Sequence, residues 1–125
     1  MIVQQTTQRL HLIGAITTGD GKWKWKPPYA GELLDVTGYI KTLGSGAGTS
    51  TDVQIRNATK AVDMLSTVGA FEVNSATNLL EGHVVSSANY AFSANDVINL
   101  DVDATSTSPA DAVIDLLVIL FVDDV

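Results

Sequence analysis

No stretch of this sequence carries an apolar stripe of helical period over three turns, whereas several stretches alternate apolar and polar residues with a period of two. Alternation is clearest at Val97–Ala104, where Ile98, Leu100, Val102 and Ala104 share one face. At Asp52–Arg56, Val53 and Ile55 point one way and the polar residues face water. Val, Ile and Thr supply 35 of the 125 residues, and their stiff χ1 torsions suit a pleated surface. Gly, Ser, Asn and Asp recur between the apolar stretches as turn signals. The pattern predicts one all-β domain over 1–125, an antiparallel β-sandwich of jelly-roll type with eight or nine short strands. An immunoglobulin-like sandwich is the alternative, without its cysteine pair.

The strands are expected at Thr7–Ile16, Lys22–Lys26, Glu32–Leu43, Asp52–Thr59, Ala61–Ser66, Ala70–Val73, Leu79–Ser87, Asp96–Ala104 and Ala112–Val122. Thr59–Leu65 could equally form one helical turn. The last segment breaks the alternation, since Leu116–Val122 is apolar on both faces. Such a strand is central in its layer or meets another subunit. It is too short to cross a membrane as a helix, which takes about 20 apolar residues, and no signal-peptide pattern opens the sequence. The expectation is a soluble protein with no membrane partner. The segment Gly44–Ser50 reads as a mobile loop and lacks the Lys-Ser/Thr of a phosphate-binding loop.

Chemistry-bearing residues are few. There is no cysteine, which excludes disulfides, thiolate zinc sites and a cysteine nucleophile. His11 and His83 are the only histidines, with no Gly-x-Ser-x-Gly turn and no Asp partner assignable by spacing. Asp101 and Asp103 share a strand face and Asp123 and Asp124 lie together, but no acidic calcium loop is present. The carboxylates of that strand read as solvated charges that guard against edge-to-edge aggregation. The expectation is a protein that is not an enzyme, with no metal and no cofactor. All seven basic residues lie in the first 60 positions, while residues 61–125 hold ten acids and neither Lys nor Arg. The formal charge of −7 argues against a nucleic-acid partner.

Two segments stand out as contact candidates. In Lys22-Trp23-Lys24-Trp25-Lys26, an extended chain places both tryptophans on one face and the lysines on the other. The tryptophans either pack on the core or form an interface or sugar platform, with the lysines meeting an acidic partner. Pro27-Pro28 ends that strand. Met1, Ile2, Val3, Gln4, Gln5, Thr6 and Thr7 read as a flexible N-terminal arm that orders on a neighbour in an assembly.

The segment Phe92–Ala104, a Thr/Ser-rich turn and the apolar Ala112–Val122 resemble the closing hairpin of small β-sandwich virion proteins of tailed bacteriophages. These include capsid decoration (auxiliary head) proteins and fibre heads. Tyr90–Val122 is also loosely similar to the closing strands of trimeric jelly rolls of the tumour-necrosis-factor and complement-C1q type. The resemblance implies a non-enzymatic homotrimer on the virion capsid exterior, a decoration or cement protein bound to the major capsid protein. With that role, Lys22, Trp23, Lys24, Trp25 and Lys26 are the residues expected, from their own pattern, at the capsid or intersubunit contact. A host-recognition fibre head or a carbohydrate-binding module is the alternative.

Overall fold

The computed structural model describes residues 1–122, which form antiparallel sheets, one curled into a half-barrel, and no helix. Eleven strands are present among the described residues: β1 (Ile2–Ala15), β2 (Gly19–Trp25), β3 (Gly31–Thr42), β4 (Ser50–Asn57), β5 (Val62–Asp63), β6 (Leu65–Thr67), β7 (Gly69–Glu72), β8 (Val84–Val85), β9 (Ala91–Phe92), β10 (Ile98–Ala104) and β11 (Ala110–Val122). One sheet runs β1-β11-β3-β9. The other runs β2-β10-β4-β5, with β7 also pairing with β4, and β6-β8 is a two-stranded ribbon. The first four strands thus alternate between the two main sheets.

The apolar β11 lies at the centre of its sheet, between β1 and β3. Its Ala112, Ile114, Leu116, Val118 and Leu120 are buried. They join Leu10, Leu33, Val36 and Ile40 from the same sheet and Val53, Ile55, Phe71, Ile98, Leu100 and Val102 from the other in one core. Burying each of the larger side chains stabilises by about 1.5–3 kcal/mol. Leu33 and Val36 both face inward although three residues apart, because a bulge opposite Leu117/Val118 inserts an extra residue in β3. Gly31 sits where a Cβ would overlap the Ile119 carbonyl oxygen, so only glycine lets β3 approach β11 there.

Several expectations change in the folded chain. The chain forms eleven strands rather than eight or nine, because two-residue strands such as β8 and β9 pair with longer neighbours. Met1–Thr7 is not an arm: Ile2–Thr7 pair in register with Leu117–Val122, since the 13-residue β11 offers a partner along its whole length. Ala104 is only half-buried, because a register shift follows Val102. Gln54 does not face water but is 6% exposed.

The burial of Gln54 has a structural cause. On one side of β4, β7 pairs with Ser50–Val53 and β5 with Arg56–Asn57, leaving a gap between them. The Gln54 side chain fills it. Its Nε2 donates to the Leu65 carbonyl at 3.0 Å, and its Oε1 accepts the Leu65 N–H at 3.1 Å and the Ile55 N–H at 3.0 Å. The amide takes the place of a missing ladder rung. The Gly44–Ser50 loop is likewise fastened, through reciprocal 2.9 Å hydrogen bonds between Ser45 and Thr107.

Candidate interaction surfaces

The tryptophan pair is divided by the fold. In β2, an edge strand, Trp23 lies opposite Leu100 and Trp25 opposite Ile98, so both turn to the inner face while Lys24 lies opposite Asn99 on the outer one. Trp25 packs against the core and meets the Phe92 ring edge-on, with centroids 5.8 Å apart. Trp23 is 37% exposed and meets His11 edge-on at 5.8 Å, where the edges of the two sheets approach. Lys22 donates to Thr17 Oγ1 at 2.8 Å, and Lys24 and Lys26 are exposed. Of the aromatic candidates, Trp23 alone remains half open to a partner. The neighbouring cleft, lined by His11, Ile13, Ile16, Thr17 and Lys22, holds about 160 Å³.

A second surface lies on the outer face of the β11 sheet, which sequence reasoning anticipated only as a doubly apolar strand. Val113, Leu117, Ile119 and Phe121 alternate with the core residues and remain half-buried. Exposed Tyr39 and Val3 lie opposite Val113 and Phe121 on the flanking strands. Across the middle of this face Arg9 clasps Asp115 through Nε and Nη2 at 2.8 and 2.9 Å. The hydrogen bond and charge of Arg9 hold the Asp115 carboxyl below its ordinary range. His83 Nε2 lies 3.0 Å from Asp35 Oδ1, a pairing that no sequence spacing signalled.

The third surface is acidic. Asp101, expected as a solvated strand-face carboxylate, is 3% exposed, because β2 bulges over it between Gly19 and Trp23 and Gly21 donates its N–H to Asp101 Oδ1 at 2.7 Å. Burial raises its carboxyl pKa, Asp20 and Asp63 add to this, and the Gly21 N–H and Arg56 oppose it. Asp103 is raised as well, by burial and by the charges of Asp101, Asp63, Asp20 and Asp52. Among the described residues no group of three or more His, Asp or Glu side chains could hold a metal ion. Asp123 and Asp124 lie outside the described residues.

This raised carboxyl has a testable sign. A folded state that holds the Asp101 proton more tightly than the unfolded chain loses stability as pH rises from the ordinary carboxylate range through the raised value. Asp101→Asn keeps an acceptor for the Gly21 N–H and removes the buried charge. Urea unfolding at pH 7 is expected to show a higher midpoint for the variant, with the difference shrinking in acid. A lower midpoint at pH 7 would show that the charge itself is needed.

No helix among the described residues is long and apolar enough to cross a membrane. No protein-family model matches the chain, and no curated protein matches its sequence.

Proposed function

We propose that this chain is a non-enzymatic structural protein that works by packing against other protein subunits, as a trimeric decoration protein on the exterior of a phage head. The observation that carries the reading is the outer face of the β11 sheet, where Val113, Leu117, Ile119 and Phe121 stay half open to solvent. Apolar side chains left open on one face, here divided by the Arg9–Asp115 pair, mark a surface for protein contact. A jelly-roll wrap fits the strand order, in which β1-β11-β3-β9 in one sheet accompany β2-β10-β4-β7 in the other. Together with the similarity of Phe92–Val122 to the closing hairpin of phage virion proteins, this supports a partner that is the major capsid protein. A clamp of this kind stabilises by mass action, because it binds only the assembled shell. Trp23 and the exposed Lys24 and Lys26 supply the capsid contact in this reading.

The half-exposed Trp23 beside His11 favours a second reading, a sugar-binding fibre head or carbohydrate-binding module. The cleft there is small against the roughly 300–1,000 Å³ of ordinary ligand pockets. Trp25 also packs on the core instead of extending a platform.

The test has two arms. Lys24→Glu with Lys26→Glu is expected to keep the wild-type circular dichroism while abolishing binding to undecorated heads, Leu117→Asp is expected to dissociate the trimer, and the wild type is expected to raise the heads' heat-disruption temperature. No binding at micromolar concentration overturns the decoration reading. Glycan binding that Trp23→Ala removes, with the fold intact, establishes the second reading in its place.

A further inference from the structure

The N-terminal half of β1 is an edge with few of the devices that keep sheet edges apart. The strand pairs with β11 on one side, and among the described residues no strand runs along the other. Half of its backbone N–H and C=O groups therefore face outward from the sheet, a template for another strand. Natural edges are usually short or blunted by lysine, proline or a bulge. Here Ile2-Val3-Gln4-Gln5-Thr6-Thr7-Gln8 carries no charge, no proline and no glycine, and its pairing with β11 is unbroken as far as Leu12. Ile2 and Val3 are more than half exposed, and Gln4 and Thr6, which face inward, remain exposed or half-buried.

We propose that this edge pairs with the same edge of a second copy, antiparallel about a two-fold axis normal to the sheet, joining the two β11 sheets into one. The edge is complementary to itself. An antiparallel pair about that axis satisfies each strand with an identical one, and the lack of charge removes the like-charge repulsion that such symmetry otherwise imposes. The axis keeps outer faces outer, so odd positions meet odd and even meet even. Centring it on Gln5 places Val3 against Thr7, Gln4 against Thr6 and Ile2 against Gln8. That register pairs the uncharged segment with itself and leaves Arg9, already held by Asp115, outside it. An extended peptide from another protein would be chosen by charge or by side-chain pockets along the added strand, and the uncharged edge offers no charge for that choice. The joined sheet also sets two apolar outer faces side by side, with Phe121 and Leu117 of each copy in rows shared with the other.

The proposal does not depend on the decoration reading, and its test separates the two. Light scattering after gel filtration is expected to give an even multiple of the 13.2 kDa chain: two chains, or six if trimers also form through the outer face. A mass of one or three chains at high micromolar concentration overturns it. Gln5→Lys, on the axis, is expected to halve the wild-type mass at low salt with unchanged circular dichroism, and Gln5→Glu is expected to do the same. Mixing the two variants is expected to restore the wild-type mass, because Lys then faces Glu across the axis. An even mass that Gln5→Lys leaves intact, or a mixture that stays dissociated, assigns the contact elsewhere and sinks the edge pairing.

Discussion

Gln54→Leu is expected to lower the stability of the folded chain by about 3 kcal/mol or more, although it makes a buried residue more apolar. Its side-chain amide bonds both the N–H and the C=O of Leu65, which is 1% exposed, across the gap between β5 and β7. Leucine fills a similar volume but strips the Leu65 N–H and C=O and the Ile55 N–H of the partners they have in the gap, and each buried unsatisfied backbone group costs about 1–3 kcal/mol. Urea denaturation by circular dichroism measures the loss. Gln54→Glu, which keeps an acceptor for the Leu65 N–H and can donate to the carbonyl only while protonated, is expected to unfold more readily as pH rises and the carboxylate ionises. A Gln54→Leu variant as stable as the wild type would mean that β5 and β7 close over the gap unaided.

Asp96→Ala carries the second large effect, about 3 kcal/mol, with a distinct pH signature. Asp96 is 5% exposed, and its Oδ2 accepts from Asn57 Nδ2 at 2.8 Å and from the Ser93 N–H at 2.9 Å, with Lys60 Nζ 3.2 Å away. Burial alone would raise this carboxyl. The hydrogen bonds from Asn57 and Ser93 and the Lys60 ammonium outweigh it and hold the pKa below the ordinary value. Removing the carboxylate strands the fully buried Asn57 amide and the Ser93 N–H. The 42%-exposed Lys60 turns to water, which keeps the loss at the lower end for a broken buried pair. Because the folded pKa is depressed, this stabilisation is fully present above the ordinary carboxylate range and drains away as pH falls through the lowered value. Asp96→Asn should cost less at pH 7 and flatten the acid limb of the stability profile. An acid limb unchanged in that variant would assign the pH dependence to Asp115 instead.

These two residues also mark where the sequence stops being readable. The alternation of Ile98, Leu100 and Val102, and of Val53 and Ile55, was visible because one face of each strand meets the core. Position 54 falls on the opposite face, and its burial follows from β5 and β7 leaving β4 at different points, which no local pattern encodes. Asp101 departs from its pattern for the same reason: a bulge in β2, 80 residues earlier in the chain, covers it. The polar Ile2–Thr7 gave no strand signal, because most of its side chains contribute nothing to the core and its partner alone makes it a strand. Of the contact candidates, the alternation of Trp and Lys in β2 was legible, whereas the separate fates of Trp23 and Trp25 depend on where Phe92 and His11 come to rest.

The place of β11 between β1 and β3 has a consequence for how the molecule is made. Neither flanking strand touches the other without it, so a nascent chain on the ribosome holds β1 unpaired, and β3 paired only with the short β9, until Ala110–Val122 emerge. Joining Ile2 to Val122 also closes almost the whole described chain into one loop, and pairings of such long sequence separation are slow to nucleate. Completion of this sheet therefore waits until Ala110–Val122 have left the ribosome. Until then its apolar strands are the surface on which holding chaperones act, and on which crowded synthesis leads to aggregation.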